Sequence, residues 1–495
     1  MKVLSAYTKI VMPLILWLSP ITMSAQTDDF RNAYDAFKQQ ATKEYKDFRA
    51  EANRQYAEFM KEAWKSYKKM PAIPHPKDQK VKPVVVPKEE ENKIPIDTKP
   101  LPIKENVVAP PVVEPQPLPI APIREQPKPE EKYVPFKYYG TELRVRFNDD
   151  ERFKLKDLKT NTLADAWKRL SDGRCDNTIR DCLEYRITLQ LSDWGYLMML
   201  KNLSEACLGK GNEAQFLLAY IYCQSGYKMR LAKDGSNLYL YYASKHYIYN
   251  KYYYEIDGNC MYALADKDVV SGEFCDVAFP KEQPLSLYIL QQPKLACNMS
   301  EERTLKSKRY DYFTVTTSVN KNLIDFYNSY PASEVNDNFM TRWQMYANTP
   351  VSKEVTDSLY PVLRKRIEGL SQLEAVERLL NWVQTAFVYE YDDKVWGGDR
   401  AFFAEESLYY PYCDCEDRSI LFSHLVRDLL GLKVILVYYP GHLATAVCFN
   451  DEVKGDYIPL NGKRFVICDG TFIGARVGRT MPDMDNKTAT VILLD

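Results

Sequence analysis

The sequence predicts an α+β protein in which two folded regions follow a long helix and a proline-rich linker. Three observations carry this prediction. They are an eleven-residue aromatic repeat near the N-terminus, a segment dense in proline, and alternating helical and strand patterns after it. The 495 residues suffice for two or three domains. A net charge of −1 gives no reason to expect a nucleic-acid partner.

Residues 1–25 have the features of a signal peptide. Lysines flank the start of an apolar run from Ile10 to Leu18, and Ser24-Ala25 supplies small residues for cleavage. The run is too short to span a bilayer. We therefore expect an exported protein that is periplasmic, attached to the cell envelope or secreted. The 11 cysteines are an odd number, which leaves at least one thiol unpaired in that setting.

Residues 28–70 carry the aromatic repeat. The offsets of 0, 3 and 7 within each eleven-residue unit fall on one face of a helix. We predict one amphipathic helix that self-associates as a coiled coil or docks on the envelope. The alternative is that its stripe packs on a later domain of the same chain. The stripe consists of Tyr34, Tyr45, Tyr56 and Tyr67, then Phe37, Phe48 and Phe59, then Ala41, Ala52 and Ala63.

Residues 71–135 are rich in proline, valine, lysine and glutamate, as in P-P-V-V-E-P-Q-P-L-P-I-A-P-I. Such a composition favours extended polyproline II and does not bury a core of its own. The segment is predicted to be a disordered linker that holds the C-terminal domains away from the helix.

Residues 136–340 are predicted to form an α+β domain. Helical patterns cover Thr162–Leu170 and Ile187–Leu208, and hairpin signals follow at Asp234-Gly235 and Asp257-Gly258. Two interpretations stay open. The region is a degenerate copy of the domain that follows it, with Lys210 where that domain has a cysteine, or it is an unrelated α+β domain.

Residues 341–495 carry the candidate chemistry. Ser371 and Glu374 form a capping box that opens an amphipathic helix. A later helical pattern ends at Gly431, and Cys415 stands at its first turn. Unpaired N–H groups and the dipole at that end favour an anion, so we expect a lowered thiol pKa.

A histidine and an aspartate follow on predicted strands. His442 begins a strand after a Pro440-Gly441 turn, and Asp469 ends a strand that the Asn461-Gly462 hairpin signal places nearby. Cysteine, histidine and aspartate in these settings suit a nucleophile, a base and its orienting partner. Candidate oxyanion donors are the Trp396 indole and the Gln384 amide.

These residues resemble the transglutaminase-like superfamily. The resemblance covers Val355 to Met484 and rests on C-E-D-R-S before a helix ending in L-L-G-L, on L-N-W-V-Q-T-A-F-V-Y upstream, and on D-G-T-F after the histidine strand. It implies a papain-like fold, with helices packed on an antiparallel sheet, and a catalytic domain over residues 341–495. It also implies Cys415 as nucleophile, His442 as base, Asp469 as its partner and Asp417 as a structural acid.

The resemblance implies no cofactor and no metal, and its expected partner is a protein or peptide substrate. The predicted function is a cysteine peptidase or amidase that acts on exported or cell-envelope peptides. One alternative is a silent scaffold that binds protein or glycan in the envelope. Another is a metal site made by Cys413, Cys415, Cys448 and Cys468, although C-x-C is a poor start for tetrahedral ligation.

Overall fold

Helices and mainly antiparallel sheets make up the structure, which confirms the α+β class. The computed structural model describes residues 47–77, 80–95, 99–101, 107–265 and 272–495. The predicted signal peptide and the first part of the repeat helix lie outside these residues. Ala50–Asp495 is one compact unit. None of the helices described is both long enough and apolar enough to cross a membrane.

The elements before residue 340 are a first helix and a mixed set that follows it. In chain order they are α1 (described over 47–60), β1 (Trp64–Ser66), β2 (Lys69–Met70), β3 (Val107–Val108), β4 (Tyr133–Tyr138), β5 (Thr141–Arg146), α2 (Thr160–Leu170), α3 (Asp176–Thr188), α4 (Asp193–Leu208), α5 (Asn212–Gln224), β6 (Met229–Asp234), β7 (Asn237–Ser244), β8 (Tyr247–Ile248), β9 (Tyr253–Ile256), β10 (Asn259–Ala263), β11 (Glu273–Cys275), β12 (Arg303–Lys306), β13 (Thr314–Thr317), α6 (Lys321–Asn328) and β14 (Ser333–Glu334).

The elements after residue 340 begin with helices and end in a sheet. They are α7 (Thr341–Asn348), α8 (Lys353–Ile367), α9 (Gln372–Ala386), β15 (Val388–Tyr389), α10 (Asp392–Val395), α11 (Ala404–Tyr409), β16 (Tyr412–Cys413), α12 (Cys415–Leu430), β17 (Lys433–Tyr439), β18 (His442–Cys448), β19 (Tyr457–Leu460), β20 (Lys463–Cys468) and β21 (Thr490–Leu493).

Two sheets share one topology. After α5 the strands lie in the order β11-β6-β7-β10-β9, and after α12 they lie in the order β21-β17-β18-β20-β19. Every pairing within these two sets is antiparallel. Helices α4 and α5 pack together, as α9 and α12 do. Equal strand order with equal connectivity is what a degenerate copy would have, and that interpretation stays a prediction.

The predicted helix over 28–70 is too long at its C-terminal end. Helix α1 stops at residue 60, and the chain then enters β1, which pairs with β11. Within the compact unit, Tyr56 is buried with its ring 4.4 Å from that of Trp167. Phe59, on the neighbouring phase, is 60% exposed. Within the described residues, Tyr56 therefore packs on the chain's own core, as the alternative interpretation had it for the stripe.

The proline-rich segment is not a free spacer where it is described. Its backbone hydrogen-bonds to the second sheet at Leu101, whose N–H donates to Tyr457 O (2.8 Å), and β3 pairs with β21. Farther along, the backbone of Leu118 passes close to Gly226. A Cβ atom on residue 226 would lie 2.2 Å from the Leu118 carbonyl oxygen. Extended chain lacks a core of its own, but here it pairs its backbone with the edges of a folded one.

The predicted helix Ile187–Leu208 is two helices. The helix α3 ends at Thr188, and Ser192 caps α4 by accepting a hydrogen bond from the Gly195 N–H (3.2 Å). Apolar periodicity continues through the break, which is why the sequence pattern does not reveal it.

Candidate active site

Cys415 is the first residue of α12, as predicted. The turn before it is fixed by Asp417, which accepts hydrogen bonds from the Asp414 N–H (3.1 Å) and the Phe402 N–H (2.8 Å). One turn farther on, the Ser419 hydroxyl donates to Leu443 O (2.8 Å) and joins α12 to the start of β18. Asp417 therefore holds the helix start in place, which fits a structural acid.

His442 and Asp469 meet. The β18–β20 register pairs Thr445 with Cys468, so Asp469 follows β20 beside the start of β18. His442 Nε2 lies 2.8 Å from Asp469 Oδ2. Asp469 Oδ1 accepts the N–H groups of Thr471 (2.8 Å) and Phe472 (3.1 Å).

Asp469 stays ionised in this setting. Burial opposes the charge, but His442 and the two amides outweigh it and hold the pKa of Asp469 below its usual value. An ionised carboxylate fixes the imidazole tautomer with the proton on Nε2, which leaves a lone pair on Nδ1.

Cys415 does not complete a hydrogen-bonded triad. Its thiol donates to Glu416 Oε2 (3.2 Å), and the Leu443 backbone contributes a further hydrogen bond to it. His442 Nδ1 is buried without a hydrogen-bond partner among the described residues. The sulfur thus lies beside the residue that follows His442, but it is turned to a carboxylate.

The expected lowered pKa of the thiol is wrong. The pKa of Cys415 is raised well above its usual value. Burial is the largest cause, and the negative charges of Glu416 and Asp414 are the next. The Lys80 ammonium acts in the opposite direction without offsetting them. The dipole of α12 is outweighed because the sequence C-D-C-E-D places acids on both sides of the sulfur.

A buried carboxylate pocket lies next to Cys415 and is filled by a lysine. Lys80 Nζ contacts Asp414 Oδ2 (2.6 Å), Asp399 Oδ1 (2.9 Å), Asp392 Oδ2 (3.7 Å) and, closely, Glu416 Oε1. The Lys80 side chain is 10% exposed. Sequence reasoning missed this pocket, and the three acids around Cys415 were the only local signal of it.

Lys80 sets the ionisation of the pocket. Burial opposes its charge, but Asp414 and Glu416 raise the pKa of Lys80 well above its usual value. Burial likewise opposes the charge of Glu416, and Lys80 holds the pKa of Glu416 below its usual value. Burial and the charge of Glu416 raise the pKa of Asp414. Glu416 is therefore the charged partner of Lys80.

Of the two predicted oxyanion donors, the Gln384 amide is engaged elsewhere, and the Trp396 indole stays a prediction. The Gln384 amide donates to the oxygens of Asp469 (2.9 Å), Phe472 (2.9 Å) and Ala475 (3.2 Å), which fixes the loop after β20. The Trp396 ring packs on Tyr410, 4.8 Å away. The backbone N–H of Cys415 is a further candidate, because first-turn amides have no acceptor within their own helix.

The four-cysteine metal site is not formed. All 11 cysteines lie in the described residues, and none of them forms a disulfide. Three groups there bring potential ligand atoms within 4.8 Å of one another, and none includes Cys413, Cys448 or Cys468. The groups are Asp414 with Cys415 and Glu416, Asp392 with Asp414 and Asp417, and Asp392 with Asp399 and Glu416.

Comparisons of the chain with models of known protein families, with curated proteins and with solved structures give no match.

The raised pKa of Asp392 leads to a predicted pH dependence of the protein's stability. Burial and then the charge of Glu416 raise its pKa from 3.8 to about 7. A pKa raised by folding contributes stability that is complete below the unfolded value and is lost as the pH rises to the folded value, here between about pH 4 and 7. Asp392→Asn cannot ionise and can still accept the Arg400 N–H.

We therefore expect the unfolding free energy of Asp392→Asn to gain about 4 kcal/mol on the wild type between pH 4 and pH 8, since each unit of pKa shift corresponds to about 1.4 kcal/mol. Urea titrations at several pH values measure this. The neighbouring, exposed Asp393→Asn should show no such gain. A constant difference across the range would contradict the assignment of the raised pKa to Asp392.

Proposed function

We propose that this protein is an exported cysteine enzyme of transglutaminase-like type that acts on amide bonds of peptides. The observation that carries the proposal is the His442–Asp469 hydrogen bond of 2.8 Å beside the helix that starts at Cys415. A papain-like arrangement fits the contacts of α12 with α9, β17 and β18. Substrates within reach of an exported protein are peptides of the cell envelope and other exported proteins.

The proposed reaction starts when the thiol leaves Glu416 and turns to His442 Nδ1. That nitrogen takes the sulfur proton, and the thiolate adds to the carbonyl carbon of an amide. The tetrahedral intermediate expels the amine, which takes the proton from His442, and a thioester remains on Cys415. Water or a second amine then attacks the thioester, returns the proton through His442 and releases the acyl group.

A second candidate is a silent scaffold that binds without cleaving. The observation that favours it is the thiol itself, which is buried, turned to Glu416 and raised in pKa. The two candidates differ in whether His442 controls the reactivity of Cys415.

Iodoacetamide labelling tests this difference. Because none of the 11 cysteines forms a disulfide, labelling must be followed by mass spectrometry of the peptide that contains Cys415. We expect His442→Ala to slow the labelling of Cys415 by about 100-fold at neutral pH, since the base that takes the thiol proton is lost.

His424→Gln is the matched control. His424 is also a buried histidine and lies in α12, so its replacement shows how much the loss of packing alone slows the labelling. Equal slowing by both substitutions, or by neither, favours the scaffold. The measurement is repeated with Val81→Pro, which removes the hydrogen bond from the Val81 N–H to Gly441 O (2.9 Å), so that the proline-rich segment does not hide the effect.

A further inference from the structure

Residues 80–86 lie across the candidate active site as a segment that is held by backbone hydrogen bonds and one isolated β-bridge, from Val85 to Ile473. The Val81 N–H donates to Gly441 O (2.9 Å), directly before His442. Farther along, the Ile473 N–H donates to Val84 O (2.8 Å) and the Val86 N–H donates to Ile473 O (2.9 Å). The segment thus hydrogen-bonds both to the start of the histidine strand and to the loop after Asp469. Backbone pairing of this kind is how proteins bind extended peptides.

Two side chains of this segment are anchored. Val86 is buried in a small apolar cluster with Phe472, Ala475 and Met481. At the other end, Lys80 enters the carboxylate pocket beside Cys415. Between them, Lys82 and Val85 are exposed. The two anchors, Lys80 and Val86, and the backbone hydrogen bonds between them define a groove that holds about seven residues of extended chain, 80–86.

The carboxylate pocket requires a cation. Asp414 and Glu416 are fully buried, and Arg342, the other nearby cation, pairs with Asp399 (2.7 Å). A buried charge left without its partner is strongly destabilising. Lys80 therefore leaves far more readily when another cation takes its place, so a peptide with a lysine displaces it better than a neutral peptide does.

We propose that this groove is a binding site for an extended peptide with a lysine side chain, and that residues 80–86 occupy it as a built-in competitor. The peptide site gives the substrate class of the proposed enzyme, and its role in a reaction rests on that proposed function. Binding itself does not need the thiol. An incoming lysine peptide exchanges with Lys80, and the departure of residues 80–86 uncovers Cys415 and His442.

The test is binding of a peptide in trans. The probe copies residues 80–92, K-V-K-P-V-V-V-P-K-E-E-E-N, with an acetylated N-terminus and a fluorophore at its C-terminus. The receptors are full-length chains that carry Cys415→Ala, so that binding is measured without reaction. Fluorescence anisotropy gives the dissociation constant for Lys80→Met and for Lys82→Met, the matched control in the same segment.

We expect Lys80→Met to bind the probe at least about 100-fold more tightly than Lys82→Met does, because only the first loses the competing ammonium. A probe with norleucine in place of its first lysine should lose about 100-fold in affinity for Lys80→Met. If Lys80→Met does not fold, Val81→Pro keeps Lys80 and weakens docking through the backbone alone. It should bind the lysine probe more tightly than Lys82→Met does.

Equal binding of the lysine and norleucine probes would overturn the proposal, as would no binding to either Lys80→Met or Val81→Pro. Stabilisation of Lys80→Met by Ca²⁺ or Zn²⁺ but not by the probe would make the pocket a metal site instead. Failure of binding, with His442 still controlling the labelling of Cys415, would leave the proposed enzyme intact and remove only this peptide site.

Discussion

Replacing Arg418 with methionine is expected to lower the free energy of unfolding by about 3–5 kcal/mol. The Arg418 guanidinium is buried and donates to the oxygens of Gln384 (3.1 Å), Gly470 (3.3 Å) and Phe387 (3.1 Å). It thereby ties the end of α9 to the loop that carries Asp469. Methionine fills much of the volume but donates no hydrogen bond, so three carbonyl groups lose a buried donor.

Chemical denaturation with the wild type as reference measures this loss. Arg366→Met is the matched control, because Arg366 is exposed on α8 and its replacement should change stability by less than about 0.5 kcal/mol. Similar unfolding free energies for Arg418→Met and the wild type would show that other donors reach these carbonyl groups.

The sequence predicted best those features that depend on neighbouring residues. The start of β18 at His442 and the hairpin at Asn461-Gly462 follow from local patterns, and the structure has them where they were expected. The capping box of Ser371 and Glu374 is also formed. Turn chemistry and strand alternation depend on a few neighbouring residues, so a short stretch of sequence is enough to predict them.

The features that depend on distant residues were not predictable. Lys80 lies 335 positions before Cys415 in the numbering, and no local pattern marks it as the partner of Asp414 and Glu416. The proline-rich composition indicated an extended chain correctly, but it does not show which sheet edge that chain joins. The ionisation of Cys415 follows from burial and three neighbouring charges, which only the packed structure reveals.

Asp469→Asn is expected to slow the acylation of Cys415 by about 1,000-fold or more. Asparagine can keep the acceptor for the N–H groups of Thr471 and Phe472, so the loop after β20 should stay folded. Its NH₂ group then faces His442 Nε2 and donates to it. That reverses the tautomer, puts the proton on Nδ1 and removes the lone pair that must take the thiol proton.

The burst of p-nitrophenol from p-nitrophenyl acetate reports this acylation without knowledge of the natural substrate. Both chains carry Val81→Pro, so that residues 80–86 do not set the rate. Asp451→Asn, an exposed change shortly after β18, controls for lost charge and should acylate at the parent rate. An unchanged rate in Asp469→Asn would mean that the His442–Asp469 pair only supports the fold. His442 Nδ1 would then not be the base that takes the thiol proton, because its protonation would not affect the rate. That outcome would favour the scaffold over the enzyme.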